Sequence, residues 1–203
     1  RWFTPSLEVD LCGHATLASA RILFDYYSDR AGEEINFDSK SGTLKVTKCN
    51  DGHCLNFPAD QPIENELDSL FIEILDIEPL KLLRGKDDYL AIFKNQKQIE
   101  DMQPKLFLLK KINARGLVIS APGDEVDFVS RCFYPEAGIE EDPVTGSAHT
   151  MLTPYWANQF NKEDLEGHQL SKRGGKLNCR LVNDRVYISG NSVIYFEGTI
   201  SIV

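Results

Sequence analysis

The sequence predicts an α+β fold of two pseudo-symmetric halves, each a curved, mostly antiparallel sheet or barrel around a central helix. One observation is a repeat in which Gly13 matches Gly146 and Gly42 matches Gly175, both at an offset of 133 positions. Another is that the first predicted helix is apolar around almost its whole circumference, which indicates a buried helix. A third is a series of short alternating segments joined by tight turns, which is typical of antiparallel strands. A repeat of this length favours two facing domains over a solenoid.

The composition of the chain limits its partners. With 203 residues, 42% of them hydrophobic, the chain can form one large or two small packed domains. Its net charge of −9 argues against nucleic acid and against an anionic membrane surface as the main partner. The five cysteines are an odd number without framework spacing, so we expect reduced thiols, a cytoplasmic location and no zinc site.

The first half, residues 1–113, begins with a helix predicted over residues 13–27. Alternating apolar residues and Gly-containing turns, including an Asp-Gly hairpin turn at 51–52, predict strands at 34–39, 43–48 and 53–58. A loop over 60–66 is followed by a helix, a strand and a helix interrupted near Pro104, predicted at 67–75, 88–93 and 99–111.

The second half, residues 114–203, again has a helix that is followed by strands. Strands are predicted at 116–121 and 127–133, and a helix at 146–160 is expected to be kinked by Pro154. Three further strands are predicted at 176–181, 186–188 and 192–202. The first half has no counterpart of the two strands before residue 133, so we expect that it is truncated at its N-terminus.

The polar turn that opens the first helix supplies the first candidate site residues. Gly13 allows close approach of a ligand to the backbone, and a helix start offers free N–H groups and the positive end of the helix dipole. His14 can exchange a proton near neutral pH, although a capping or core histidine is the alternative interpretation.

The second polar turn contains Asp142, Thr145, Gly146 and Ser147. Asp142 is either a helix cap or an acid, base or orienter of a ligand ammonium group. Thr145, Gly146 and Ser147 supply hydroxyl and N–H donors that suit a carboxylate. His149 lies one turn further and is expected to pack or to hydrogen-bond internally.

Two further residues are ambiguous. A thiolate at a helix start, such as Cys12, can abstract a proton from carbon, but the second turn has no thiol for a two-thiol mechanism. We therefore expect Cys12 to be a small packed residue. Arg173, before the Gly174-Gly175 pair, either binds a carboxylate or is a surface charge.

Three motifs resemble the PhzF, or phenazine-biosynthesis-like, family. They are Glu8-Val9-Asp10-Leu11-Cys12-Gly13-His14-Ala15-Thr16-Leu17, Glu141-Asp142-Pro143-Val144-Thr145-Gly146-Ser147-Ala148-His149 and Ser171-Lys172-Arg173-Gly174-Gly175. The resemblance covers essentially the whole chain and implies the diaminopimelate-epimerase-like fold, with the site between its halves. It also implies cofactor-free acid–base isomerisation of a small amino or hydroxy carboxylate. The family's principal catalytic glutamate precedes the Phe-Thr-Pro segment, in a stretch that this sequence lacks.

The leading hypothesis is an isomerase in which His14 and Asp142 position or relay protons and the main base comes from the missing N-terminal stretch. The residues expected to bind the substrate are Gly13, Thr145, Gly146, Ser147 and Arg173. One alternative is a non-catalytic metabolite-binding or protein-interaction member of the same fold. The other is an epimerase or racemase that depends on Cys12. The expected partners are a small carboxylate-bearing metabolite and, in a homodimer, a second copy of the chain, with no cofactor, metal, nucleic acid or membrane.

Overall fold

One eleven-stranded sheet dominates the computed structural model, which describes residues 1–3, 8–9, 12–27, 32–40, 42–49, 52–199 and 201. Its strands are β3 (Glu34–Ser39), β4 (Gly42–Cys49), β5 (Gly52–Pro58), β6 (Ile63–Asn65), β7 (Lys81–Arg84), β8 (Asp88–Ile92), β9 (Gly116–Pro122), β10 (Phe128–Phe133), β11 (Asp164–Gln169), β12 (Gly175–Val182) and β13 (Arg185–Gly190). A separate pair consists of β1 (Trp2–Phe3) and β2 (Glu8–Val9). The described α-helices are α1 (Gly13–Tyr26), α2 (Ser69–Leu75), α3 (Gln96–Asp101), α4 (Leu106–Leu109) and α5 (Gly146–Phe160).

The sheet joins both copies of the sequence repeat. Its order is β3-β4-β5-β13-β12-β11-β10-β9-β8-β7-β6, and neighbours are antiparallel except for the pairs β10–β11 and β8–β9. The expected two sheets are in fact one, because β5 pairs with β13, with His53 opposite Gly190 and Pro58 opposite Arg185. This pairing satisfies backbone groups that would otherwise lie on two exposed sheet edges. The pseudo-symmetry of the halves and the division at residue 113 stay predictions.

The core alternates between two faces of the central strands. In β9, Val118 belongs to the cluster that contains α1 and α5, whereas Leu117 and Ile119 belong to the cluster under α2, α3 and α4. This alternation follows from the period of two along a strand. Every residue from Phe128 to Phe133 is buried, as expected for a strand covered on both faces.

Helix α1 begins at the predicted glycine but is not buried on all sides. It packs on β4 and β5 and contacts α5, and its buried residues are Gly13, Thr16, Ala20 and Phe24. The prediction of an all-round buried helix is wrong, because these elements cover one face and leave Ile22 39% and Tyr26 55% exposed.

Helix α5 has the predicted bounds and continues through Pro154. A proline removes the N–H that would bond the carbonyl four residues earlier. That carbonyl, of Thr150, instead accepts from the Asp60 N–H at 3.0 Å. A hydrogen bond from the loop after β5 therefore replaces the one that the helix loses.

Other elements differ from the prediction. The interrupted helix at 99–111 is two separate helices, α3 and α4, with Pro104 between them. Strands β6, β7 and β11 were not predicted, and the strand predicted at 192–202 is absent from the described residues 191–199 and 201. Both edges of the neighbouring β13 are already paired, to β12 and β5, so this segment cannot add to it. The 51–52 turn lies partly outside the described residues. No helix in the described ranges is long and apolar enough to cross a membrane.

Candidate functional site

The starts of α1 and α5 meet at their glycines. A Cβ atom built on Gly13 would lie 3.4 Å from the Cα atom of Gly146, and one built on Gly146 would lie 3.5 Å from the Cα atom of Gly13. Each of these distances is an ordinary van der Waals contact, so the two helix starts lie directly against each other. Two helix N-termini, each with free N–H groups and a positive dipole end, therefore face one region.

A cavity of about 120 Å³ lies at this meeting point. Six of the seven predicted site residues line it: Gly13, His14, Asp142, Thr145, Gly146 and Ser147. The other lining residues are Val9, Cys12, Arg115, Tyr134, Ala137, Ile139 and Val144. A larger cavity of about 680 Å³ lies against β11, β12 and β13, but it contains none of the predicted residues and no helix start. The small cavity is thus the better candidate.

Cys12 and His14 form a pair at the start of α1. Cys12 is the N-cap residue, and its Sγ atom lies 3.6 Å from His14 Nε2. Burial raises the pKa of the Cys12 thiol, but interactions with His14 and the Ala15 backbone outweigh it and lower that pKa below its usual value. The same contact raises the pKa of His14, and the charge on Asp142 raises it further. Cys12 is half-buried and its thiol contacts His14, so the expectation of a small packed residue stays a prediction.

Asp142 faces this pair from the loop before α5. It does not cap α5, because the N-cap residue is Thr145, whose hydroxyl donates to Asp142 Oδ2 at 2.5 Å. The Asp142 N–H donates to the Cys132 carbonyl at 2.9 Å, which ties this loop to β10. The loop is held further by buried Arg131, whose Nε and second amino group donate to the Glu141 carboxylate at 2.6 and 3.0 Å. Asp142 is thus a positioned carboxylate on a fixed loop.

The side chain of Gln169, which was not predicted as a site residue, forms hydrogen bonds to the same loop. Gln169 is fully buried at the end of β11. Its Oε1 accepts from the Thr145 N–H at 2.8 Å, and its Nε2 donates to the Asp142 carbonyl at 2.6 Å and to Thr145 Oγ1 at 3.2 Å. One amide therefore sets the distance between Asp142 and the start of α5.

A second group that the sequence analysis missed is the pair of Asp88 and Arg115. Parallel pairing of β8 with β9 places Asp88 opposite Gly116, next to Arg115 in the chain. The guanidinium donates to both carboxylate oxygens of Asp88, from Nε at 2.9 Å and from its second amino group. That amino group also donates to Ser147 Oγ at 3.1 Å, so the pair touches the first turn of α5.

Two histidines and one cysteine lie behind the site or outside it. His149 is fully buried with Nδ1 2.8 Å from the Thr145 carbonyl, which confirms the prediction of an internal role, and burial lowers its pKa to about 4. Cys132 is buried behind Thr145, and burial raises its thiol pKa, so it supplies no second thiolate. His53 is 7% exposed and stacks on Phe24, away from the cavity.

Arg173 lies on the other side of the contact between the helix starts. It is exposed and lines a separate cavity of about 340 Å³ together with Gly13, His14 and Gly146. Its charge lowers the pKa of His14, opposing the effect of Cys12. A role for Arg173 in substrate binding stays a prediction.

Within the described residues, no three His, Cys, Asp or Glu side chains form a group that could hold a metal ion.

The chain belongs to the phenazine biosynthesis-like protein family, PhzC-PhzF, whose model matches residues 1–198. An uncharacterized isomerase of Halalkalibacterium halodurans is 44% identical over 196 residues, covering 95% of this chain and 74% of that protein. A crystal structure of a PhzF-family protein from Enterococcus faecalis has a TM-score of 0.93 and 40% identity, covering 100% of this chain and 77% of that one.

A predicted epimerase from Pseudomonas aeruginosa is similar in fold alone, with a TM-score of 0.62 and 16% identity over 93% of this chain and 73% of that one. The family resemblance seen in the sequence motifs is therefore confirmed, and the mixed α+β fold with one large sheet is shared with epimerase-fold proteins.

Proposed function

We propose that the protein is an isomerase that moves a proton on a small amino or hydroxy carboxylate bound in the cavity between α1 and α5. The observation that carries this proposal is the meeting of two helix starts with acid–base groups on both sides, Cys12 and His14 on one and Asp142 on the other. The similarity to an uncharacterized isomerase of Halalkalibacterium halodurans supports the same reaction class.

The chemistry requires a bound anion and a group that exchanges a proton with carbon. Free N–H groups at the two helix starts and the Ser147 hydroxyl suit the carboxylate. Because the pKa of His14 is raised, His14 carries a proton to higher pH than an ordinary histidine and can donate it. The Asp142 carboxylate lines the cavity opposite His14 and can accept a proton from that side.

A second candidate function assigns the proton transfer to Cys12 itself. The lowered pKa of its thiol and its position at a helix start favour a thiolate that acts as the base. In that mechanism His14 stabilises the thiolate, and Asp142 replaces the second thiol that the second polar turn lacks. A non-catalytic role in metabolite binding is the remaining alternative.

The test is incorporation of solvent deuterium at carbon when the full-length protein is incubated with small amino and hydroxy carboxylates in D₂O. We expect exchange to fall by about a hundredfold or more in Asp142→Asn and His14→Gln, as for loss of a general acid or base. Asp164→Asn is the matched control, because Asp164 is an exposed aspartate whose ion pair, among the residues that the structure describes, is with Arg180 at 3.4 Å.

The outcomes separate the three functions. Exchange at the wild-type rate in Asp142→Asn contradicts the isomerase mechanism. A loss in Cys12→Ser as large as that in Asp142→Asn favours the Cys12-dependent epimerase, whereas a loss below about threefold assigns Cys12 a positioning role. No exchange on any carboxylate that nevertheless binds the wild-type protein favours the non-catalytic member.

A further inference from the structure

We propose that Arg115 binds the substrate carboxylate at the start of α5, together with the Ser147 hydroxyl, and so selects carboxylates over neutral analogues. The inference rests on the proposed function, because it concerns the same cavity. It adds a specificity residue that lies in neither sequence motif.

Asp88 and Tyr134 hold the Arg115 guanidinium in position. Asp88 is 4% exposed and takes two hydrogen bonds from the guanidinium, in the two-pronged geometry that Arg forms with carboxylates. The Tyr134 ring packs on the guanidinium, with the Cζ atom 5.1 Å from the ring centroid. The Tyr134 hydroxyl also donates to Asp88 at 3.4 Å. The guanidinium is therefore rigid before any ligand binds, which reduces the entropy lost on binding.

Arg115 keeps hydrogen-bonding capacity on the cavity side. A guanidinium has five N–H donors. Nε and one amino group are used by Asp88 and Ser147, whereas the other amino group, NH1, has no hydrogen bond to any residue that the structure describes. The side chain is 40% exposed and lines the cavity. Two N–H groups are thus available to an anionic oxygen.

Ser147 links this charge to the helix. Its Oγ accepts from Arg115 at 3.1 Å, so its own O–H proton remains available for a ligand. Ser147 is the second residue of α5, where backbone N–H groups have no partner within the helix. A carboxylate here can accept from Arg115, from the Ser147 hydroxyl and from the helix start at once. A neutral carboxamide gains less from the charge and brings an NH₂ group that faces other donors.

The experiment compares 2-aminobenzoate with 2-aminobenzamide, two planar probes of similar shape that differ in charge. Binding of each is measured by calorimetry on the full-length protein. The main variant is the double replacement Arg115→Met with Asp88→Leu, because removing Arg115 alone would leave a buried unpaired charge. Ser147→Ala tests the hydroxyl with the ion pair intact, and Arg180→Met is the control at an exposed arginine outside the cavity.

We expect the double variant to bind 2-aminobenzoate at least about tenfold more weakly than the wild type, and Ser147→Ala to lose about threefold or more. The amide should bind weakly and equally to all proteins, and Arg180→Met should match the wild type. Cooperative urea unfolding of each variant verifies that it is folded. If the double variant does not fold, the test rests on Ser147→Ala and on Arg115→Lys, which keeps the positive charge but cannot form the two parallel hydrogen bonds of a guanidinium.

Equal affinity of the wild type and the folded Arg115 and Ser147 variants for 2-aminobenzoate overturns the inference, as does equal binding of acid and amide by the wild type. If those variants also keep the exchange of solvent deuterium, the proposed function stands without Arg115. If 2-aminobenzoate fails to bind the wild type while exchange on other carboxylates persists, the inference alone falls. If neither binding nor exchange occurs, the proposed function falls with it.

Discussion

The amide of Gln169 offers a sharp test of how the site is held. We consider Gln169→Leu, which keeps a similar volume but removes every hydrogen bond of the side chain. Three bonds are lost: from the Thr145 N–H, to the Asp142 carbonyl and to the Thr145 hydroxyl. At about 1 kcal/mol each, their loss lowers the free energy of unfolding by about 3 kcal/mol.

The loss should exceed that of an exposed glutamine because the Thr145 N–H is buried and stays without a partner. The assay is urea unfolding followed by circular dichroism, with Gln103→Leu as the control, since Gln103 is exposed. The control should change the free energy of unfolding by no more than about 0.5 kcal/mol. If the free energy of unfolding of Gln169→Leu lies within about 1 kcal/mol of the wild-type value, this amide does not hold the loop.

Three other predictions follow from close contacts and pKa shifts. Gly116→Ala should lower the free energy of unfolding by about 1–3 kcal/mol, because the added Cβ would overlap the Tyr134 ring and the Phe133 carbonyl. The control Gly190→Ala should leave the free energy of unfolding almost unchanged, because no atom lies within 4 Å of the added Cβ. Equal urea midpoints for the two variants would contradict the prediction. Cys12 should react with iodoacetamide at neutral pH faster than Cys54, because burial raises the pKa of the Cys54 thiol to about 11, whereas the pKa of the Cys12 thiol is lowered. The order of alkylation is measured by mass spectrometry, and faster alkylation of Cys54 would contradict the prediction. The pKa of His149 is about 4 in the folded protein and 6.5 for a free side chain. Because the unfolded chain therefore binds this proton first, the free energy of unfolding should fall by roughly 3 kcal/mol as the pH falls from 6.5 to 4. His149→Gln should remove this pH-dependent loss of stability. If unfolding of this variant keeps the pH dependence of the wild type, His149 is not its cause.

Features encoded by neighbouring residues could be predicted from the sequence. Glycine at a helix start and apolar periodicity gave the bounds of α5, Gly146–Phe160, and the start of α1. Hairpin signals gave β3, β4 and β5 to within a residue at each end. The two helix starts also supplied six residues that line the cavity, because each turn carries its functional groups within a few positions.

Features made by tertiary contacts could not be predicted in this way. Asp88 and Arg115 are 27 positions apart and meet only because β8 lies beside β9. Gln169 was missed with its strand, since β11 carries Gly167, which fits under the Phe128 ring and weakens the strand pattern. Cys12 was set aside for lack of a second thiol, whereas its partner is the histidine two positions later.

We propose that the starts of α1 and α5 form one acid–base site, in which the pKa of His14 depends on Cys12 at the start of its own helix and on Asp142 in the loop before α5. The most direct measurement is the NMR titration of His14, assigned by the resonance that disappears in His14→Gln. We expect a His14 pKa above 6.5 that falls in Cys12→Ser and in Asp142→Asn and rises in Arg173→Met. A His14 pKa at or below 6.5 that none of these replacements moves would contradict it.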